Sequence, residues 1–224
     1  MGAVTRADRW LQDVRGARGS GAPPLDDDVA LAVLADLEAR HGEPARRYHT
    51  IEHVDAVLDA LDDLVATAPD GELGTPAIAS LALAAWFHDA VYDPTGHDNE
   101  AASAELAADE LTDLGASPEV IAEVARLVQL TAGHTVRPDD RVGALLADAD
   151  LSILGASPDA YDRYAGQIRV EYGHVPDDAY RIGRADILAG FLGRPQIYRT
   201  RAGRDRWERR ARENLERERA ALLG

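Results

Sequence analysis

Five positions of this chain carry metal-ligating side chains where apolar packing is expected: His53, His88, Asp89, His134 and Asp150, with Asp148 as the alternative to the last. The pair His88-Asp89 closes the apolar run that begins at Leu81 and passes through Trp86 and Phe87. Burying a charge costs several kcal/mol unless it is paired or bound to a metal. An apolar helix therefore has no stability reason to finish on an imidazole beside a carboxylate. Two or three histidines with one or two carboxylates make a mononuclear site that leaves positions for water and substrate, and such a site activates water near neutral pH. On a helix, neighbouring residues point about 100° apart. His88 and Asp89 then share a metal only if it lies off the axis between them, with His53 and the later Asp reaching in from neighbouring helices.

Composition narrows the choice of metal and partner. There is no cysteine, so thiolate sites and disulfides are excluded. Ligands limited to His, Asp and Glu suit Mn, Fe, Co, Ni, Zn or Mg more than copper(I) or iron–sulfur clusters. The net charge is -16, which opposes binding to a nucleic acid duplex. It leaves room for a small phosphorylated substrate held by a local positive site. The first residues lack an apolar targeting core, and the longest apolar run, near 77–87, is too short to span a bilayer. The expected location is the cytoplasm, without a membrane partner.

The elements that must position these residues read as helices. Ala, Leu, Glu and Arg dominate, strand-like alternation is missing, and 224 residues suit one domain. The fold expected is all-α, a single domain of nine or ten helices. Val54, Val57, Leu58, Leu61, Leu64 and Val65 recur at three- and four-residue spacing, so a helix starts near Thr50. It places His49 just before its start and His53 one turn later. Pro76 opens the helix that leads to His88, after a loop over 68–76. Ser117-Pro118 and Ser157-Pro158 each combine a capping Ser with Pro in the first turn. Asp205–Leu223 is a charged helix with many Glu/Arg pairs four apart. His41 and His174 read as ordinary core or surface histidines.

Taken together, the order His, His-Asp, distant Asp resembles the HD superfamily of metal-dependent phosphohydrolases. The likeness covers about residues 46–155, with 157–224 as a C-terminal helical extension. Tyr48-His49-Thr50-Ile51-Glu52-His53 is similar to a segment of cyclic nucleotide phosphodiesterases in that superfamily. Phe87-His88-Asp89 matches its defining pair, and Leu146–Gly155 resembles its last motif. Asp98-Asn-Glu100, Thr131-x-x-His134, Arg194-x-x-x-Tyr198 and Glu208–Leu215 further resemble a bacterial subgroup of predicted HD phosphohydrolases.

The resemblance implies a single HD-type helical bundle with added N- and C-terminal helices, spanning 1–224. It implies His53, His88, Asp89 and Asp150 as ligands of a divalent metal, with Asp150 preferred over Asp148. It implies His49 as the acid at the leaving oxygen, alongside Asp89 in catalysis. His134, Asp148 and Glu100 are candidates for a second metal or a phosphate contact, and Glu100 or Asp93 for orienting a ligand histidine. Arg46, Arg47, Arg194 and Arg199 are candidate phosphate contacts, since a guanidinium matches phosphate oxygens in pairs. The expected activity is hydrolysis of a small phosphoester, a nucleotide among the possibilities. Two other readings stand beside it. One is an HD-type di-iron oxygenase, which needs a second metal at His97 and His134. The other is a non-catalytic nucleotide-binding module.

Overall fold

Thr5 begins the first helix with a reciprocal cap, its side chain accepting from the Asp8 N–H while the Asp8 carboxylate accepts from Thr5. This helix is α1 (Arg6–Ala17). Asp26 caps α2 (Asp27–His41), and Thr50 sits at the start of α3 (Ile51–Val65) without a capping bond from its hydroxyl. Then come α4 (Thr75–Phe87), α5 (Asn99–Asp113), α6 (Pro118–Leu130) and α7 (Arg141–Asp150). A 3-10 turn, Leu151–Gly155, leads to α8 (Pro158–Glu171) and α9 (Asp177–Leu192). A short α10 (Arg201–Gly203) runs through a π-helical turn, Arg204–Glu208, into α11 (Arg209–Leu223). Ser117 and Ser157 cap α6 and α8 as their Ser-Pro pairs require. The computed structural model describes residues 4–67 and 73–224. Part of the loop expected over 68–76 lies outside them.

The protein is all-α, with no strand among the described residues. No helix of the described residues is long and apolar enough to cross a membrane.

Two apolar clusters organise these helices. The larger one draws on α1 to α7 and centres on α4, whose residues Leu83, Ala84, Ala85, Trp86 and Phe87 are all fully buried. Trp86 meets Trp10 edge to face with centroids 5.6 Å apart, a contact type worth about 1 kcal/mol beyond its buried area. The smaller cluster joins the 3-10 turn, α8, α9 and α11 through Leu154, Tyr161, Ile168, Leu188, Tyr198 and Leu215. The last turn of α7 lies where the two meet, because Leu151 already belongs to the second cluster.

Candidate metal centre

The turn after α4 does what a continuing helix could not. His88 is the C-cap residue of α4, and the Ala90 N–H bonds back to the Phe87 carbonyl at 3.0 Å. The chain bends there, and Asp89 comes round beside His88, with Oδ2 3.1 Å from His88 Nε2. Arg46 holds the bend. Its buried guanidinium donates to the Asp89 carbonyl at 2.6 Å, the Ala90 carbonyl at 3.1 Å and the His49 carbonyl at 3.2 Å. Arg46 is therefore a tie between the His49 segment and the His88-Asp89 turn. The expectation that it contacts phosphate is corrected, because its donors are already taken.

His53 enters from the first turn of α3 and Asp150 from the last residue of α7. His53 Nε2 lies 3.1 Å from His88 Nε2 and 3.2 Å from Asp150 Oδ1. His88, His53 and Asp150 each offer a ligand atom, and these atoms lie within 4.8 Å of one another. Asp89 Oδ2 stands beside that trio, 3.7 Å from His53 Nε2. His88 Nδ1 is bound to the Ala85 carbonyl at 2.8 Å. A carbonyl only accepts, so Nδ1 carries a proton and Nε2 is the nitrogen that can present a lone pair. Two imidazole nitrogens facing each other beside two carboxylates form a donor set suited to a divalent cation.

The electrostatics agree with that fit. Burial opposes an imidazolium at His88, yet Asp89 and Asp150 outweigh it and push the ring up to about 10. Burial lowers His53, with Asp150 pulling the other way. Asp89 is held well below the usual carboxylate range by His88, His49 and His53, against its burial. Asp150 is lowered likewise by His134 and His53. The cluster thus demands positive charge at its centre.

Two further histidines flank the four. His134 Nε2 binds the other oxygen of Asp150, Oδ2, at 2.7 Å. His134 has φ 50, a left-handed conformation uncommon outside glycine and held only where the surroundings fix it. That bond orients Asp150 in the manner of a supporting ligand partner. His49 Nδ1 binds Glu171 Oε2 at 2.7 Å. Glu171 Oε1 also accepts from the Arg47, Tyr48 and His49 N–H groups at 2.6, 2.8 and 3.1 Å, and Oε2 from the Tyr92 hydroxyl at 3.0 Å. These donors hold Glu171 down at about 2 despite its burial. His49 is raised in turn, because Asp89 and Glu171 outweigh its burial.

The chain matches no family model, no curated protein and no solved structure.

Several residues singled out in the sequence stand away from the cluster. Asp148 is fully buried, and it faces the other way. Its carboxylate accepts from the Arg199 N–H, the Thr200 N–H and the Thr200 hydroxyl, each at 2.7 Å. A Cβ on Gly203 would overlap that carboxylate, so the close approach of α10 requires glycine there. Asp148 as a second-metal ligand is thus corrected. Asp93 bonds Thr95 in its own loop and supports no histidine. The Arg47 guanidinium donates to the Pro44 and Arg46 carbonyls. Arg199 lines a separate cleft of about 900 Å³ with Arg137, Arg141, Arg201 and Arg206. Arg194 lies over the Phe191 ring, at 4.5 Å, and reaches the Gly133 carbonyl at 3.2 Å. None of the four arginines Arg46, Arg47, Arg194 and Arg199 lines the cavity beside the His/Asp cluster. Glu100 does line it. His97 is exposed and lies outside that cavity.

Sequence reading missed Glu171. A signal for it exists: Tyr161, Tyr164, Ile168 and Glu171 form the buried stripe of α8, and a carboxylate at helical spacing within an apolar stripe needs partners.

Proposed function

We propose that this protein is a metal-dependent phosphohydrolase of the HD type, hydrolysing the phosphoester of a small molecule. The observation that carries the reading is the grouping of ligand atoms from His53, His88 and Asp150, with Asp89 3.1 Å from His88, beside a cavity that His49 also lines. These four residues would hold a divalent metal ion, which supplies Lewis acidity toward phosphoryl oxygen and an activated water. Arg46 keeps Asp89 and His49 in register across the site. His134 keeps Asp150 oriented. Asp89 and Glu171 favour the protonated form of His49, and with Nδ1 engaged by Glu171, Nε2 is the nitrogen left to carry a proton to the leaving oxygen. Tyr48 packs on both His49 and His53, at 5.1 and 4.6 Å between centroids, and limits their rotation.

A single metal suits the arrangement better than two, since Asp148 and His97 take no part in it and the Nε2 of His134 is engaged by Asp150. The test is elemental analysis together with hydrolysis of a generic aryl phosphate, for the wild type, His88→Ala and Asp89→Ala. Metal content and hydrolysis should fall together in both variants. Variants that keep metal and activity would refute the assignment.

A further inference from the structure

The cavity beside the ligands has a volume of about 430 Å³, within the range of sites that enclose a small organic molecule. Its two walls differ in chemistry. One wall is the metal cluster with His49, His134 and Glu100. The other comes from α8, α9 and the turn between them, where Tyr164, Ile168, Tyr172, Tyr180, Ile187 and Phe191 present rings and branched side chains. Arg184 is the arginine of this lining, and it is committed: its guanidinium donates to both oxygens of Glu218, at 2.9 and 3.1 Å, and lies over the Tyr164 ring. The carboxylates lining the cavity, Asp89, Asp150 and Glu100, have the wrong sign for a polyphosphate. One metal and His49 can neutralise a single phosphoryl group. Beyond that group the cavity offers apolar and aromatic surface, which rejects unpaired charge.

Building on the hydrolase reading above, we propose that the substrate is a phosphate monoester of an uncharged, ring-bearing alcohol, its ring lodged between α8 and α9. Nucleoside di- and triphosphates fit less well, because their further phosphoryl groups would meet Glu100 and the apolar wall without a free guanidinium. The ring packs against the tyrosines and phenylalanine, where offset and edge contacts are favourable. The single phosphoryl group sits at the polar wall.

Non-hydrolysable phosphonates test this without relying on turnover. Binding of benzylphosphonate, methylphosphonate and ATP to the Mn²⁺-supplemented protein is measured by calorimetry. Gly183 lies on the cavity wall within α9, and a Cβ there meets nothing within 4 Å. Gly183→Leu fills that space and suits a helix interior better than glycine. Benzylphosphonate should bind at least about tenfold more tightly than methylphosphonate, and ATP more weakly than benzylphosphonate. Gly183→Leu should remove most of the benzyl advantage and spare methylphosphonate. Equal binding of the two phosphonates, no binding of either, tighter binding of ATP, or an unaffected Gly183→Leu would each overturn the inference. A protein that binds benzylphosphonate as expected but leaves benzyl phosphate intact supports the ligand class and contradicts the hydrolase reading, so the two failures are separable.

Discussion

Asp148 and Asp150 are two residues apart on α7 and do opposite work. Asp150 faces the centre, shared by His53 on one oxygen and His134 on the other. Asp148 faces the C-terminal segment, where it gathers two backbone N–H groups and a hydroxyl from Arg199 and Thr200. Burial raises Asp148, whereas neighbouring imidazoles lower Asp150. One carboxylate is satisfied by the fold and the other is left facing only cationic or metal-binding partners. The lesson is that burial of an acid does not mark a site; the nature of its partners does.

Asp150→Asn should produce the largest effect, lowering aryl phosphate hydrolysis by more than about 100-fold and reducing bound metal. Thermal stability without metal should fall less than in Asp148→Ala, since the Asn amide oxygen can still accept from His134 or His53. Asp148→Ala should reverse that pattern. Three part-buried donors lose their buried acceptor, and unfolding in urea should show a loss of about 2 kcal/mol, with metal stoichiometry per folded chain unchanged.

Two other histidines extend the contrast to pH. His41 has no carboxylate partner. Its Nδ1 bonds the Leu37 carbonyl at 2.9 Å, Nε2 is buried without a partner, and burial lowers the ring to about 4. An unfolded histidine titrates near 6.5. The unfolded chain thus takes up a proton that the native state refuses, so His41 leaves stability intact above about pH 6.5. As pH falls from there through about 4, roughly 3 kcal/mol is lost. Urea unfolding at pH 7.5 and 4.5 should show most of this loss, and His41→Leu should reduce the difference. His49 is the reverse case, raised by carboxylates. Glu171→Gln removes one of them, so His49 should lose its proton at lower pH. The alkaline limb of the pH–rate profile should move toward acid, with hydrolysis at neutral pH falling about 10- to 100-fold. The smallest effect belongs to Arg199→Ala. Only its backbone N–H serves Asp148, so kcat/KM should stay within about twofold.

Much of the helical frame was legible because local chemistry marks it. Ser117 and Ser157 cap the helices they announce, and the apolar spacing after Thr50 becomes α3. His53, His88 and Asp150 were legible for another reason: each is a polar residue on an element whose other buried positions are mainly apolar. The partners of those residues were harder to see. Glu171 lies 122 residues beyond His49, and no local pattern links them. Arg46 looks like any surface arginine until its carbonyl acceptors are assembled by the turn at Asp89. Local chemistry alone does not tell Asp148 from Asp150, and the preference for Asp150 rests on the family resemblance; what separates them physically is the 3-10 turn after α7 and the return of α10 against it.

The central claim is a metal ion held by His53, His88, Asp89 and Asp150. Elemental stoichiometry after reloading with Mn²⁺ tests it most directly, on the wild type, Asp148→Asn and Asp150→Asn in parallel. The expected result is one tightly held ion per chain in the wild type and in folded Asp148→Asn, and little in Asp150→Asn. Equal metal in both variants, or none in the wild type, would contradict it.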